Sequence, residues 1–498
     1  MPTENHLPTT FEDQPLRHLA RITVELQTPL HIGSGKPGEI ADADIIRDVN
    51  DLPVIPGFSI AGVLRHQFEA LKDVEPHEVQ RVFGYQEGNT GMGSSLSVSW
   101  GHIHDKTNTP VEGYRSSFKD EVLQAAILPT LRDHVRINHQ GVSDAEQHGK
   151  FDELAVHAGH RFSFEIELVS HSKDDEAWFA LLRLLQSPAF RLGGKTRRGF
   201  GCVKTVSIKA RTFDLSQQAD FNAYAKHSPK LSDPPDQLHE WQDTSCSEEV
   251  KPFALLELSP RAFWMFGGGV DEQIERENEN WAAADAAPVR DKRIIWAGES
   301  SGKVEENVIY LPGSSIKGAL AHRTVFHHNR LLKRYARNSK QRESNEHKQA
   351  QDICEPRTGE NNEAVQALFG YAKDNKDTQS GQAGHVYIPD IYLSSDGEDA
   401  NRPDQMKLQH VSIDRFTGGA LDTALYDERP LHGGGILTIP IYTDLIDHSD
   451  EDSIALQSLQ FAVKDLAEGR LPLGAGSGRG HGFMEGNLTL FNSSEPTD

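Results

Sequence analysis

Two glycine-rich stretches, one late in each half of the sequence, combine backbone freedom with positive charge. LGGKTRRGFG carries Lys195, Arg197 and Arg198, and LGAGSGRGHGF carries Arg479. Glycine lets the backbone approach a ligand closely, and arginine supplies charge and paired donors for phosphate. Neither stretch matches the P-loop or dinucleotide-binding patterns, so those sites are excluded. A polynucleotide backbone and a purely structural turn both remain as interpretations.

A proline-glycine-serine element occurs twice. IPGFSIAGVLRHQ and LPGSSIKGALAHR each predict a strand, a turn and then a helix. Ser59 and Ser315 are predicted to cap these helices, whose free amides suit a phosphate. Gly62 and Gly318 cost helix stability, which predicts close approach of another backbone. Lys317 strengthens the phosphate interpretation, and a helix cap with a packing glycine is the alternative.

Acidic residues precede an apolar pair in both halves. Asp42 lies in DADIIRD, and Asp291 lies in DKRIIWA. A carboxylate beside bound RNA can orient an attacking 2′-hydroxyl or hold a divalent metal. A solvated loop acid is the plain alternative in a chain with 74 acidic residues, and Asp44 and Asp48 are close competitors.

Histidines offer a further candidate chemistry, because their charge changes near neutral pH. The candidates are His31, His134, His139 and His410, among 24 histidines in the chain. No HExxH, GxSxG or Cys–His pattern accompanies them, so ordinary surface or packing roles are the alternative.

These residues belong to two halves with the same order of motifs. Each half opens with an alternating apolar strand and a Gly-rich turn, at 21–35 and 253–269. The acidic segment, the proline-glycine-serine element, an FGY tripeptide, an HV-containing strand and the late glycine loop follow in both. An ordered repeat of this kind predicts two copies of one α+β domain. Shared turn chemistry is the alternative.

The predicted domain boundaries follow from this repeat. Residues 138–157 and 417–432 are polar segments followed by alternating strands, which predicts a protruding hairpin in each copy. The predicted division is an N-terminal tail at 1–17, a first domain at 18–210, a linker at 211–251, a second domain at 252–492 with an insertion at about 329–363, and a C-terminal tail at 493–498.

Composition restricts the class of protein. The formal net charge is −23, which counts against nonspecific nucleic-acid binding and requires any RNA groove to be local. No run of 18 apolar residues occurs, so no membrane contact is expected. Three widely spaced cysteines and the polar N-terminus predict a reduced, cytoplasmic protein.

Taken together, the ordered motifs resemble the RAMP superfamily. They are most similar to the backbone subunits of type III CRISPR effector complexes. The resemblance rests on HIGSG, an aspartate before an apolar pair, PGxSIxG, FG, a long hairpin and a terminal glycine loop. The tandem arrangement is similar to a fused double-backbone subunit of a type III-D complex.

The resemblance implies two ferredoxin-like (RRM-like) domains, each with a thumb hairpin that separates segments of paired guide and target RNA. Each domain would bind CRISPR RNA alongside other RAMP backbone subunits and the large subunit of the complex. A loop aspartate, at Asp42 and Asp291, would cut complementary target RNA with a divalent metal, Mg²⁺. The chain would therefore be an endoribonuclease that acts within the assembled complex.

The RNA-binding residues implied by the same resemblance lie on the Gly-rich turns, the helices, the hairpins and the late loops. The two copies differ in charge, because Ala61 stands where the second copy has Lys317, and Ala321 stands where the first has Arg65. The full set is Gly33, Ser34, Ser59, Gly62, Arg65, Arg136, Lys195, Arg197, Arg198, Gly267, Gly268, Ser315, Lys317, Gly318, Arg323, Arg415 and Arg479.

Three alternatives stay open. The chain could be a catalytically silent scaffold that binds CRISPR RNA. It could be a metal-independent endoribonuclease that processes guide RNA, for which His31 is the candidate base. It could also be a carbohydrate- or protein-binding module without nucleic acid.

Overall fold

The structure is a computed structural model of the 498-residue chain. The predicted residues Asp42, His139 and Gly268 lie outside the described residues, as do residues 335–357 of the predicted insertion. The described residues are 14–35, 43–71, 74–115, 118–137, 143, 149–241, 251–267, 284–298, 301–334, 358–371, 381–393, 403–443 and 454–491.

The first half contains five α-helices and eleven strands within its described residues. The strands are β1 (Leu16–Leu26), β2 (Val54–Ile55), β3 (Tyr85–Glu87), β4 (Thr90–Met92), β5 (Leu96–Val98), β6 (Gly101–Ile103), β7 (Thr130–Val135), β8 (Lys150–Ala155), β9 (Arg161–Ser170), β10 (Val203–Asp214) and β11 (His239–Glu240). The helices are α1 (Gly57–Glu69), α2 (Pro76–Phe83), α3 (Glu121–Ile127), α4 (Glu176–Gln186) and α5 (Gln218–Lys226).

One sheet forms the centre of this half, with the order β11-β10-β1-β9-β6-β2 and β5 also paired to β9. Strand β1 pairs antiparallel with both β9 and β10 along its length. Helix α1 buries Ile60, Leu64 and Phe68, which recur every four residues and so lie on one face. They share a core with Leu181 and Leu182 of α4. Each such side chain contributes about 1.5–3 kcal/mol when fully buried.

The second half repeats this plan with three α-helices and fourteen strands in its described part. Its helices are α6 (Gly313–Leu331), α7 (Glu363–Phe369) and α8 (Ile454–Ala467). Its strands are β12 (Ala254–Pro260), β13 (Phe263–Trp264), β14 (Arg290–Ala297), β15 (Ser301–Leu311), β16 (Gly370–Tyr371), β17 (Gln382–Ala383), β18 (Val386–Tyr387), β19 (Ile391–Tyr392), β20 (Asp404–Gln405), β21 (Leu408–Ile413), β22 (Ala420–Glu428), β23 (Leu431–His432), β24 (Leu437–Thr443) and β25 (Met484–Leu490).

Its main sheet has the order β18-β24-β12-β25. Strand β12 lies between β24 and β25 in the same way that β1 lies between β9 and β10. Helices α6 and α8 cover this sheet and bury Ile316 and Leu320 against Leu459 and Val463. Both halves are therefore α+β units in which two helices pack on an antiparallel sheet.

The segment predicted as a linker is partly built into the first domain. Strand β11 pairs with β10, and α5 lies beside the same strand. Leu215, Leu231 and Leu238 are buried, and Leu215 and Leu238 pack with Phe213 and Leu19. The prolines in PKLSDPPDQ predict a linker, but the leucines on either side of this stretch, Leu215 and Leu238, supply a small core. Within this segment, residues 242–250 lie outside the described part of the chain.

The hairpin formed by β14 and β15 joins the two halves. Ile294 packs against Val122 and Ala125 of α3 and also donates its amide hydrogen to the Ala158 carbonyl at 2.9 Å. The Trp296 indole donates to the Gly159 carbonyl at 2.8 Å. Apolar burial and directed hydrogen bonds thus fix the second domain against the first.

No helix in the described part of the chain is long and apolar enough to cross a membrane.

Candidate nucleic-acid interface

The two helices that follow the proline-glycine-serine elements begin one turn earlier than the sequence suggests. Pro56 and Pro312 occupy the N-cap positions, and neither helix has a side-chain cap. Ser59 and Ser315 therefore lie inside the first turn, which corrects the predicted capping role. A proline can take the cap because its extended backbone angles suit that position.

The glycines of these elements have two different roles. A Cβ at Gly57 would overlap the Val98 carbonyl oxygen, and one at Gly313 would overlap the Ile388 carbonyl oxygen. Gly62 and Gly318, where close packing was predicted, have no described atom within 4 Å of a Cβ position. Both helices therefore present bare backbone, open to a ligand, in their second turn.

The start of α6 already binds a carboxylate. The Gly313 amide donates to Asp390 Oδ1 at 2.8 Å. Burial raises the pKa of Asp390 to about 6, against the opposing effects of Arg132 and this hydrogen bond. The phosphate predicted at this helix end is thus replaced by a protein carboxyl group. Any phosphate contact on α6 has to come from the open Gly318 side of the helix.

The late glycine loops have the same backbone path in both domains. Each forms a short 3₁₀ turn, at Thr196–Arg198 and at Ser477–Arg479. Gly194 donates to the His31 carbonyl at 2.8 Å, and Ala475 donates to the Met265 carbonyl at 2.7 Å. These contacts place Arg198 and Arg479 at matching positions.

The glycine loop of the first domain meets α6 of the second. The Arg197 Nε atom donates to the Gly384 carbonyl, and its guanidinium lies 3.9 Å from the centre of the Tyr387 ring. Gly199 has φ +101° and lies against Asp390, so a side chain there would collide with the second domain. This loop is therefore both a charged surface and part of the domain junction.

Three cations gather at this junction. Burial, reinforced by Arg197 and then Arg198, lowers the pKa of Lys317 to about 8. Arg198 lies 4.4 Å from the centre of the Phe151 ring, and its Nη1 atom is buried without a hydrogen-bond partner among the described residues. Repelling cations with an unused donor form a site suited to a phosphate anion. We call Arg197, Arg198 and Lys317 the junction cluster.

A buried glutamate recurs in both domains at the base of a hairpin. In the first domain, Glu153 of β8 lies 2.9 Å from His134 Nε2 of β7, an ion-pair contact outside hydrogen-bond angles. Lys195 from the glycine loop lies 3.2 Å from the same carboxylate. Burial alone would raise the pKa of Glu153, but His134 and Lys195 outweigh it and lower the pKa to about 2.

The second domain repeats this unit with Glu428. His410 Nε2 lies 2.8 Å from Glu428 Oε1, and Arg479 Nη2 donates to Oε2 at 2.6 Å. An aromatic ring stacks on each histidine, Phe151 on His134 at 5.0 Å and Tyr426 on His410 at 4.8 Å. We call these two units the Glu153 unit and the Glu428 unit. Each ties a hairpin to a glycine loop.

These glutamates were missed in the sequence, although a signal was present. FDELAVHAG at 151–159 and YDERPLHGG at 426–434 share an aromatic residue, Asp-Glu, His and Gly at the same offsets. Of the predicted basic residues, Lys195 pairs with Glu153 and Arg479 pairs with Glu428. Their side chains remain 34% and 44% exposed, so each can also face a ligand.

Backbone register identifies the counterpart of Asp42. Ala43 forms a parallel bridge to Glu153, and Ala286 forms the same bridge to Glu428. Farther along, Ile45 bridges Gly33, and Pro288 bridges Gly267. Since each domain has Asp-Ala at this place, the residue that corresponds to Asp42 is Asp285.

Asp291, the predicted counterpart, lies buried between the domains. Its Oδ2 atom accepts from Arg132 Nη2 at 2.6 Å and from the Tyr392 hydroxyl at 3.1 Å, and its Oδ1 lies 2.9 Å from His157 Nδ1. Burial opposes ionisation, but Arg132 and then His157 outweigh it and lower the pKa of Asp291. Its side chain is 2% exposed, so the carboxylate is turned away from any RNA surface.

The remaining predicted residues fall into three groups. Arg323 of α6 makes an ion pair with the buried Asp465 of α8, so it contributes to packing of the second domain. Exposed positions on the helix, hairpin and turns are Arg65, Arg415, Gly33, Ser34 and Gly267. Arg136 is half-buried and donates its amide hydrogen to the Gly149 carbonyl at 2.7 Å.

His31, the candidate base of a processing nuclease, lies in the interior. It is 5% exposed, and its Nδ1 atom lies 2.7 Å from the Leu154 carbonyl oxygen. Its matching position in the second domain is Met265, by the loop contacts described above. These features favour a packing role for His31.

The described residues contain no group of three His, Cys, Asp or Glu side chains that could hold a metal ion. Mg²⁺ in phosphate-binding sites commonly uses only one or two carboxylates together with phosphate oxygens and water. A single loop aspartate per domain fits that kind of site, but not a metal cage formed by protein alone.

Comparison with known proteins agrees with the internal repeat. The family model of the RAMP superfamily matches residues 23–204 and 300–485, which together make up more than half of the chain. A search of curated proteins found no match. Membership of this superfamily implies a CRISPR-associated RNA-binding subunit. The chain therefore belongs to the RAMP superfamily and carries the family's domain twice.

Proposed function

We propose that this chain is a double-backbone subunit of a type III CRISPR ribonucleoprotein, of the III-D kind, and that it covers two adjacent segments of guide RNA. The observation that carries this proposal is the junction cluster. Arg197 and Arg198 come from the first domain, and Lys317 comes from the second. A phosphate at this place would bridge the two domains, so the RNA would run continuously from one to the other.

The path of the guide would follow the open face of each helix. Gly62 and Gly318 expose backbone without packing against described neighbours. Arg65 adds charge in the first domain, and Lys317 adds it in the second. Cations confined to such a path would leave the net charge of −23 to be carried elsewhere on the surface.

The strand order supports a ferredoxin-like arrangement in each domain, since β10-β1-β9 and β25-β12-β24 repeat one another. The β7–β8 and β21–β22 hairpins would be the thumbs. Phe416 at the turn of the second hairpin is fully exposed, as is suitable for an apolar tip that separates paired bases. Neighbouring RAMP subunits and the large subunit of the complex would complete the assembly.

Target cleavage would use Asp42 in the first domain. Its carboxylate would accept the proton of a ribose 2′-hydroxyl as that oxygen attacks the adjacent phosphorus. The bond to the 5′-oxygen breaks, water protonates that oxygen, and a 2′,3′-cyclic phosphate remains. Bound Mg²⁺ would supply charge stabilisation for the phosphate, with Asp42 as its protein ligand.

The experiment is affinity purification of the full chain in its native complex. We expect a bound guide RNA of defined length, while the isolated acidic chain binds arbitrary RNA weakly at physiological salt. Arg198→Glu with Lys317→Glu should weaken guide binding on the order of tenfold by reversing two phosphate contacts. Lys226→Glu on the exposed α5 is the matched control and should not change it. A complex that contains no RNA would contradict the proposal.

A catalytically silent scaffold is the second candidate, and it is favoured by the burial of Asp291, the acid that the sequence indicates in the second domain. Asp42→Asn in the assembled complex separates the two functions. Loss of one cleavage position with normal guide content supports the nuclease, and an unchanged cleavage pattern supports the scaffold.

A further inference from the structure

The second domain contains an exposed acid at the backbone position of Asp42. Asp285 lies just before Ala286, which bridges the strand that carries Glu428. The Asp427 amide donates to Asp285 Oδ2 at 2.8 Å, and this bond holds one carboxylate oxygen. The side chain is exposed, so the other oxygen is accessible to a ligand.

Four backbone hydrogen bonds show that the segments beginning at Ala43 and Ala286 are equivalent in the two domains. Leu154 donates to the Ala43 carbonyl at 3.1 Å, and Arg429 donates to the Ala286 carbonyl at 2.9 Å. At the other end, Ile46 donates to the Ile32 carbonyl at 2.8 Å, and Val289 donates to the Phe266 carbonyl at 2.7 Å. The two segments therefore share one register from end to end.

The same register separates the competing acids. Asp44 in the first domain corresponds to Ala287 in the second, so only the first of the two acids in DAD is repeated. Asp48 corresponds to Asp291, which is buried against Arg132. Two acids of this segment therefore recur, and their second-domain members differ, because Asp285 is exposed whereas Asp291 is buried.

The surroundings of Asp285 are also those of a phosphate-facing acid. The Glu428 unit holds His410 and Arg479 next to this strand, and Arg479 stays 44% exposed. Asp285 is one residue from the bridge to Glu428, to which Arg479 is bound, so the acid could receive a proton while this guanidinium faces the phosphate.

We infer that Asp285, and not Asp291, is the catalytic carboxylate of the second domain, so that one chain cuts target RNA at two positions. This inference rests on the proposed function. The substrate is a single strand of RNA paired with the guide. The 2′-oxygen forms a bond to phosphorus, the bond to the 5′-oxygen breaks, Asp285 takes the 2′ proton, and water protonates the leaving oxygen. The products carry a 2′,3′-cyclic phosphate and a 5′-hydroxyl.

The test uses the assembled complex with a complementary target RNA labelled at its 5′ end. Asp285→Asn keeps the acceptor for the Asp427 amide, so folding and guide content should be unchanged. We expect this variant to lose one cut position at least a hundredfold, as expected for removal of a general base. Asp42→Asn should lose a different position, and the double variant should lose both.

Asp291→Asn is the matched comparison, because it removes the acid that the sequence alone indicates. We expect it to keep both cuts in the fraction that assembles. If Asp285→Asn keeps every cut while Asp42→Asn loses one, the inference is overturned and the proposed function stands. A cut lost in Asp291→Asn with normal guide content, or lower melting temperature without lost cleavage in Asp285→Asn, would also overturn it. A wild-type complex that lacks guide RNA would contradict the proposed function itself.

Discussion

At Lys317, burial and charge conflict directly. It lies on α6 close to two arginines of the other domain, and burial, followed by Arg197 and Arg198, lowers its pKa to about 8. In the absence of an anion, the charged form is disfavoured. A bound phosphate would reverse this effect, because an opposite charge favours the protonated amine.

The affinity for guide RNA should therefore depend on pH near the pKa of Lys317. As pH rises from 7 to 9, the amine of Lys317 loses its proton and its phosphate contact weakens. Lys317→Arg stays charged and should remove this part of the pH dependence. Lys317→Gln should weaken binding at pH 7 and lower the slope of log affinity against log salt by about 0.7. Guide-exchange measurements at several pH and salt values test this, and identical pH profiles for wild type and Lys317→Arg would contradict it.

At the scale of elements, the Glu153 and Glu428 units explain how a hairpin and a glycine loop are held together. Each unit joins a histidine from the first hairpin strand, a glutamate from the second and a cation from the loop. Buried carboxylates without such partners would be costly. The unit therefore fixes the loop backbone before RNA binds, and its loss should loosen both elements.

Glu153→Gln should destabilise the first domain by about 3 kcal/mol, because it leaves His134 and Lys195 without their anion. Glu428→Gln should destabilise the second domain by less, since His410 and Arg479 are more exposed and water can solvate their charge. The free energy of unfolding in urea measures both. Equal losses in the two variants would contradict this account.

Glu153 also predicts how the stability of the first domain depends on pH. The pKa of Glu153 is lowered from 4.5 to about 2 in the folded state, so its ionised form stabilises the fold. This stabilisation is complete above about 4.5 and is lost as pH falls toward 2. Glu153→Gln should flatten this part of the acid-unfolding profile, and a profile that matches the wild type would count against the assignment.

At the scale of the whole molecule, the two domains are joined by a buried ionic cluster around Arg132. This residue contacts Asp291 and Tyr392, and its guanidinium lies 3.8 Å from the centre of the Tyr310 ring. The two ring nitrogens of His157 lie within hydrogen-bond distance of oxygens on Asp291 and Leu128, so this ring links Asp291 to the end of α3. These contacts set the spacing between the two domains and hence between their proposed RNA-binding surfaces.

Removing one partner should uncouple the domains. Arg132→Met leaves Asp291 and Asp390 buried without their cation and should cost about 3–5 kcal/mol. Arg132→Met with Asp291→Asn should cost less than the sum of the single changes, by about 1–3 kcal/mol. Calorimetry of Arg132→Met should show two unfolding transitions where the wild type shows one. Additive losses in a double-mutant cycle would contradict a direct coupling.

The sequence alone determined the domain repeat, the α+β class and the superfamily, because hydrophobic periodicity and turn residues are local features that recur in order. It also predicts Lys195, Arg197, Arg198 and Lys317 as RNA-binding candidates, since charge within glycine-rich or helix-start patterns is visible locally. What each of these residues faces follows from the tertiary structure. Contacts between distant segments show that Asp285 occupies the position equivalent to Asp42 in the sequence. They also bury Asp291 and bring Arg197, Arg198 and Lys317 together. The apparent motif DKRIIWA lies in β14, because the β14–β15 hairpin is longer than the matching turn between Arg47 and Pro53. Hydrogen-bond register is unaffected by chain length between the paired strands.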